Sequence, residues 1–305
     1  MAERTGIVLV DKEKGLTSHE VVDRIREIFE QRRVGHMGTL DPQATGLIVI
    51  AVGRATRLFP FLVKGHKVYR GKIRLGVETD TYDAEGRVVK EVKDFDIPEA
   101  LLRKTMKEFV GKIKHKPPPY SAKKVRGKRL YELARMGEKV DPEPIEVTVF
   151  YWRLLSYEPP YFTFDIKCST GTYVRSLAHE LGQKLGVGAH LAELRRLRSG
   201  EFSVEQAHTL EEIEEYKRQG KLDEIVIPVN KVLTEYPIVY LTAEGARRAR
   251  HGNFIPLRMV GEIEGPTQAE YYRMMDFSNN FIGMGKPVKK GSEAGFQPVM
   301  VLANE

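Results

Sequence analysis

With 305 residues, 41% apolar and 30% charged, the chain has the composition of a globular protein and room for one large domain or two unequal ones. Its one cysteine, Cys168, excludes an internal disulfide and a cysteine-based zinc cluster, and no apolar run approaches the ~20 residues of a membrane span. A formal net charge of +7 favours an anionic partner, of which nucleic acid is the commonest.

The opening residues MAERTGIVLVDKEKG hold an early acid and only a short apolar core. No signal peptide is therefore expected, and the chain reads as cytoplasmic. Ile7 to Val10 predicts a short strand. Thr17 and Glu20 form a capping box, and Val21, Val22, Ile25, Ile28 and Phe29 follow at the spacing of an amphipathic helix. The stretch GHMGTLDPQATGLIVIAVG, Gly35 to Gly53, then reads as a Gly-rich loop around Asp41. It feeds an apolar run, Leu47 to Val52, which predicts a central strand covered on both faces. Lys67 to Leu75 alternates, with Tyr69, Ile73 and Leu75 on one side and Arg70, Lys72 and Arg74 on the other. The acidic segment ETDTYDAEG reads as a turn or loop before another strand.

Composition shifts between Gly111 and Arg135, where nine Lys or Arg meet a single acid, Glu132. Three prolines, Pro117 to Pro119, precede Tyr120, while Pro142 and Pro144 close the segment. With a short helix through Leu130, Leu133 and Ala134, this predicts a protruding basic insertion, about 112–146, rather than core. Phe162 to Cys168 predicts a strand. Thr172 to Leu185 predicts a helix ended by Gly186, buried along Val174, Leu177, Ala178, Leu181 and Leu185. A mostly polar helical stretch runs from Thr209 to Leu222. After Pro237, short β-like runs (IVYL, FIPLRMV, FIGMG, PVMVL) place a domain boundary near residue 235 and a small β-barrel beyond it.

The chain lacks GxxxxGK[ST], GxGxxG and HExxH, and its eight histidines show no metal spacing. No cofactor and no metal is expected, so any chemistry runs on side chains. Three residues stand out. Asp41 precedes Pro42, which pushes it out of the helical region. Alone, Asp-Pro is punctuation, but Gly35, His36, Gly38 and Thr39 supply more than a turn requires. Arg175 sits in the first turn of its helix, against the helix dipole. Its plain reading is a snorkelling surface arginine; its alternative is a partner that keeps Asp41 ionised and oriented. Tyr69 shares a strand face with core residues, and its default is core packing.

Together these stretches resemble one family. GHMGTLDPQATGLIVIAVGRATR is similar to the signature of the TruB-type tRNA pseudouridine synthases, whose catalytic aspartate falls at Asp41. DKEKGLTSHEVV resembles the family's opening motif, KVYRGKIRLGVETDTYDAEG its tyrosine strand, GTYVRSLAHELG its arginine motif and LRRLRSGEF its closing leucine motif. One departure is Glu13, where the family usually carries proline; it concerns a turn well away from Asp41. Residues after 235 resemble a PUA RNA-binding domain.

The resemblance implies an α+β fold: a catalytic domain, 1–235, on a mixed, largely antiparallel sheet, with the basic insertion and a PUA β-barrel, 236–305. It implies isomerisation of uridine 55 in the tRNA T-loop to pseudouridine, with the base flipped out of its stack. In that scheme Asp41 is the catalytic carboxylate and Arg175 pairs with it. Tyr69 stacks on the flipped base, His36 lies in the loop that fills its vacated place, and Leu194 lines the pocket. Lys123, Lys124 and Arg126, with the C-terminal domain, would grip phosphates of the T-arm and acceptor stem. Whether Asp41 attacks C1′, attacks C6 or takes a sugar proton stays open. The expected partner is tRNA, with no membrane, no obligate protein partner and a monomeric state. Two other readings are a guide-RNA-dependent relative, which the basic insertion disfavours, and a non-catalytic RNA-binding or RNA-folding protein.

Overall fold

The computed structural model describes residues 3–62, 65–121, 124, 125, 127–129 and 142–302. Its centre is a ten-stranded sheet. The strands that build the site are β1 (Gly6–Lys12), β2 (Val34–Met37), β3 (Thr45–Val52), β4 (Lys67–Leu75), β5 (Tyr161–Cys168) and β6 (Ala189–Ser199). β3 lies between β1, antiparallel to it, and β6, parallel to it; β4 joins β6 to β5, antiparallel to both. The sheet is thus mixed and largely antiparallel.

β3 is buried on both faces, as its uninterrupted apolar run requires. Ile48, Ile50 and Val52 pack under helix α1 (Ser18–Phe29), capped by the Thr17–Glu20 box. Leu47, Val49 and Ala51 face the opposite core. Helix α2 (Val174–Lys184) lies over β4 and β5 in a third core, where Leu177, Ala178 and Leu181 are fully covered. The polar helix near 209 spans Leu210–Arg218 and buries only Ile213.

Four expectations change. Gly35 to Met37 is not loop but strand β2, paired with β3. The acidic segment begins as strand, Val77–Thr79, before it turns. The basic segment also starts inside the sheet: Gly111–His115 is an edge strand paired with Ile145–Val149, so the first residues of the expected insertion belong to the sheet. Its lysines 112 and 114 alternate with Ile113 and His115, so a charged count there masks a half-buried strand. The short helix expected at Leu130 to Ala134 lies outside the described residues. Finally, the C-terminal strands form a six-stranded sheet in open order rather than a closed barrel, and they enclose an unforeseen helix, Ala243–Arg250. That helix buries only Gly245, Ala246 and Ala249, a stripe too small and too flanked by arginine to read as a periodic apolar face.

The sheet that begins at Ile238 is not separate from the rest. Met275, Phe281, Met284, Met300 and Leu302 complete the core beneath Leu47, Val49 and Ala51. Phe61 packs edge-on against Tyr236 and Tyr271, and the Tyr236 hydroxyl donates to the Phe61 carbonyl at 3.1 Å. Each large apolar chain so buried stabilises by ~1.5–3 kcal/mol. Removing residues 236 to 305 should therefore cost on the order of the whole ~5–15 kcal/mol stability of a domain. The expected result is an aggregating or unfolded fragment in a thermal melt; a soluble fragment with a wild-type midpoint would show that this core closes without its C-terminal wall.

Candidate active site

The loop from Gly38 to Ala44 is held from three directions. Arg196 of β6, with no exposed surface, donates from Nε to the Leu47 carbonyl at 2.6 Å and from Nη2 to that of Gly38 at 3.1 Å. The Ser18 hydroxyl, at the start of α1, both donates to and accepts from the Leu40 backbone. Lys12, at the end of β1 and fully covered, donates to the carbonyls of Glu13, Leu16 and Pro42 at 2.8, 2.7 and 3.1 Å. A buried cation is costly unless its donors are filled, and here backbone oxygens fill them. Gly15 adds an N–H to Pro42 at 2.8 Å. The turn containing Glu13 therefore abuts the aspartate loop instead of lying well away from it, while the Glu13 side chain itself is exposed.

That frame presents Asp41 to Arg175. Nε and Nη2 of the guanidinium meet the two Asp41 oxygens at 3.0 and 3.1 Å, a bidentate pair. Nη1 reaches Asp83 Oδ2 at 3.0 Å and the Thr81 carbonyl at 3.3 Å, and Nη2 also donates to the Tyr120 carbonyl at 3.1 Å. The two terminal nitrogens make four hydrogen bonds, and Nε completes the ion pair with Asp41. With 8% of its side chain exposed, Arg175 is not a snorkelling surface residue. The two carboxylates offset its unfavourable place at a helix start.

The Asp41 side chain remains 42% exposed. Even so, burial pushes its carboxyl above the usual value, against the pull of Arg175 and with added repulsion from Asp83 and Glu85. The arginine orients the carboxylate without making it unusually acidic.

Asp41 and Arg175 line a cavity of about 230 Å³ together with Tyr69, Lys67, Leu194 and Tyr173. Tyr69 is buried; burial pushes its phenol up to about 12, although Arg196 hydrogen-bonds to it, so it stays protonated at neutral pH. Tyr69 packs into the core with Ile73 and Leu75 and also contributes to the cavity wall. His36 lies outside that wall, on β2, close enough to Lys67 and Arg196 for both to depress its pKa after burial does. Lys123 and Arg126 are outside the described residues, and Lys124 falls in a two-residue strand.

Asp83, Arg196, Lys12 and Lys67 escaped the sequence reading. Asp83 sits in the turn of TDTYDAEG, where Thr81 Oγ1 donates to its Oδ1 at 2.5 Å and the Glu85 N–H at 3.1 Å. Its signal was a dense acidic turn inside an otherwise basic chain.

Comparisons with known proteins converge on one family. Residues 26–174 match the model of the TruB family pseudouridylate synthase N-terminal domain, and residues 175–234 match that of the tRNA pseudouridylate synthase B C-terminal domain. A tRNA pseudouridine synthase B of Syntrophotalea carbinolica is 47% identical over 81% of this chain and 80% of its own length. One of Aquifex aeolicus is 44% identical over 92% and 95%. In a Cbf5-Nop10-Gar1 complex, a chain 27% identical superposes with a TM-score of 0.77 over 98% of this chain and 85% of its own.

Proposed function

The chain belongs to the TruB family of pseudouridine synthases, and from that premise we propose that it isomerises uridine 55 in the T-loop of tRNA. The observation that carries the reading is the Asp41–Arg175 pair at the wall of a cavity that Tyr69 also lines. Pseudouridylation breaks the N1–C1′ bond, turns the base and rejoins it through C5, without redox change. A carboxylate is needed at the sugar or the base, and it must be held yet reachable. Asp41 meets both conditions. The flipped uracil enters the cavity against Tyr69 and Leu194, with Arg175 fixing the carboxylate. His36, on a strand edge beside the aspartate loop, faces the vacated stack. The insertion and a PUA-like C-terminal sheet hold phosphates of the T-arm and acceptor stem.

The test is the purified protein alone with a T-arm hairpin, read by pseudouridine formation at the target uridine and its loss when that uridine is cytidine. Formation elsewhere in the hairpin would overturn the position. A requirement for guide RNA or partner proteins would favour the reading that the Cbf5 likeness suggests. Binding without any product would make the chain a non-catalytic RNA binder.

A second expectation concerns the insertion. Neutralising Lys123, Lys124 and Arg126 together should weaken binding almost equally for hairpins of different stem sequence, because phosphate contacts carry no sequence information. The slope of log affinity against log salt should become shallower by about 0.9 for each phosphate no longer neutralised. An unchanged slope would remove these three residues from the RNA interface.

A further inference from the structure

Two cations line the cavity, Lys67 and Arg175, and Arg196 stands behind them. Arg175 is saturated by two carboxylates and two backbone oxygens. Arg196 is committed to the carbonyls of Gly38, Thr39 and Leu47 and to Tyr69. Lys67 is different: among the described residues no carboxylate or carbonyl accepts from its Nζ. Space is made for it. A Cβ on Gly38, whose φ is +85°, would come within 2.8 Å of that nitrogen. An ammonium kept partly out of water with its donors unfilled is costly, and a ligand that fills them recovers the cost.

We infer that Lys67 is the substrate-charge acceptor of this site, its ammonium donating to an exocyclic oxygen of the flipped uracil. The inference rests on the function proposed above. Three routes are open to Asp41, and each places an electron pair on the base. Heterolysis of N1–C1′ leaves the pair on N1, and the uracil anion spreads it over O2 and O4 while Asp41 meets C1′. Carboxylate addition at C6 pushes the pair toward C5 and O4. Removal of a sugar proton expels the base, again as the anion. In each case C5 then bonds to C1′ and loses its proton, the Asp41 carboxylate leaves C1′ or C6 or returns the sugar proton, N1 ends protonated, and no electrons enter or leave. Arg175 cannot serve that anion without releasing Asp41 or Asp83. Lys67 can.

The groups facing Lys67 are Arg196 from β6, the Cys168 thiol from β5 and His36 from β2, with Asp41 and Arg175 across the cavity. Burial, then Arg196, lowers Lys67 to about 8, and burial raises Cys168 to about 11, so the thiol is neutral beside it. Lys67 is therefore charged below about pH 8 and neutral above.

The experiment measures single-turnover rate and affinity on a T-arm hairpin across pH. Lys67→Met should lower the rate by roughly 10²–10³, the effect of losing one donor to a developing anion, with affinity within a few-fold. The wild-type rate should fall as pH rises through about 8, and that limb should vanish in Lys67→Met. Lys67→Ala should regain rate with added ethylammonium, which a purely structural role does not allow. Because methionine carries no charge to desolvate, Lys67→Met should melt no lower than wild type at pH 7. A Lys67→Met rate within threefold of wild type, or a retained alkaline limb with no ammonium rescue, overturns the inference. If wild type itself forms no pseudouridine, the functional reading fails instead.

Discussion

Asp41→Asn should abolish detectable pseudouridine formation, a loss on the order of 10⁴–10⁶ in rate, the scale set by removing a nucleophile elsewhere. RNA affinity should stay within a few-fold. The substitution changes charge and almost nothing else. The amide oxygen can still accept from Arg175, and Arg175 remains paired with Asp83 at 3.0 Å, so the guanidinium is not orphaned. The carbonyl ties from Arg196, Lys12 and Ser18 do not involve the side chain, so the loop should keep its shape. A thermal melt close to wild type would confirm that. An Asn variant with appreciable turnover, folded and binding RNA, would remove Asp41 from the chemistry whatever the family resemblance.

Arg175→Lys should cost roughly two to four orders of magnitude in rate. An ammonium has three donors at a point, whereas five acceptor contacts in a planar fan are served here. Breaking a buried pair of this kind costs ~3–5 kcal/mol, because the carboxylates left behind face each other. The pH profile supplies a second readout with a definite sign. Asp41 already has a raised pKa, and Arg175 is the chief influence holding it down. Weakening that influence raises it further, so the acidic limb of activity should move to higher pH in the variant. A Lys variant with near-wild-type rate and an unmoved acidic limb would reduce the arginine to a structural part.

Much of this arrangement was legible in the sequence, for identifiable reasons. β3 declared itself because a run without alternation has nowhere to go but between two covered faces, and the structure gives it two separate cores. The capping box fixed the start of α1 to the residue. Asp41 and Arg175, far apart in sequence, were joined by the family resemblance, to which the helix-dipole conflict at Arg175 added only a hint.

What stayed hidden was the buried cations. Lys12, Lys67 and Arg196 look like ordinary surface charges in a chain with 49 lysines and arginines. Only the fold reveals which of them faces carbonyls, which faces a cavity and which faces water. Arg195 and Arg196 make the point: adjacent and chemically identical, one pairs with Asp11 at the surface while the other disappears beneath the aspartate loop. Strand alternation separates them, but their register could not be set from LRRLRSG alone. The edge strand at Gly111 was lost for the same reason, its lysines being counted as a charge run instead of as every second residue.

The core that β3 shares with the C-terminal sheet bears on which RNAs can be gripped. Two bodies joined by a linker can adjust their separation to whatever they grasp; two bodies that share side chains cannot. The wall formed by Met275, Phe281, Met284, Met300 and Leu302 fuses the C-terminal sheet to the catalytic layer as one jaw of a calliper is fused to its frame. An RNA touching both surfaces meets them at a single spacing. Under the function proposed above, length then becomes a criterion of selection: a stem with base pairs added or removed between the two surfaces would arrive with its uridine short of the cavity or past it, however well its sequence matched.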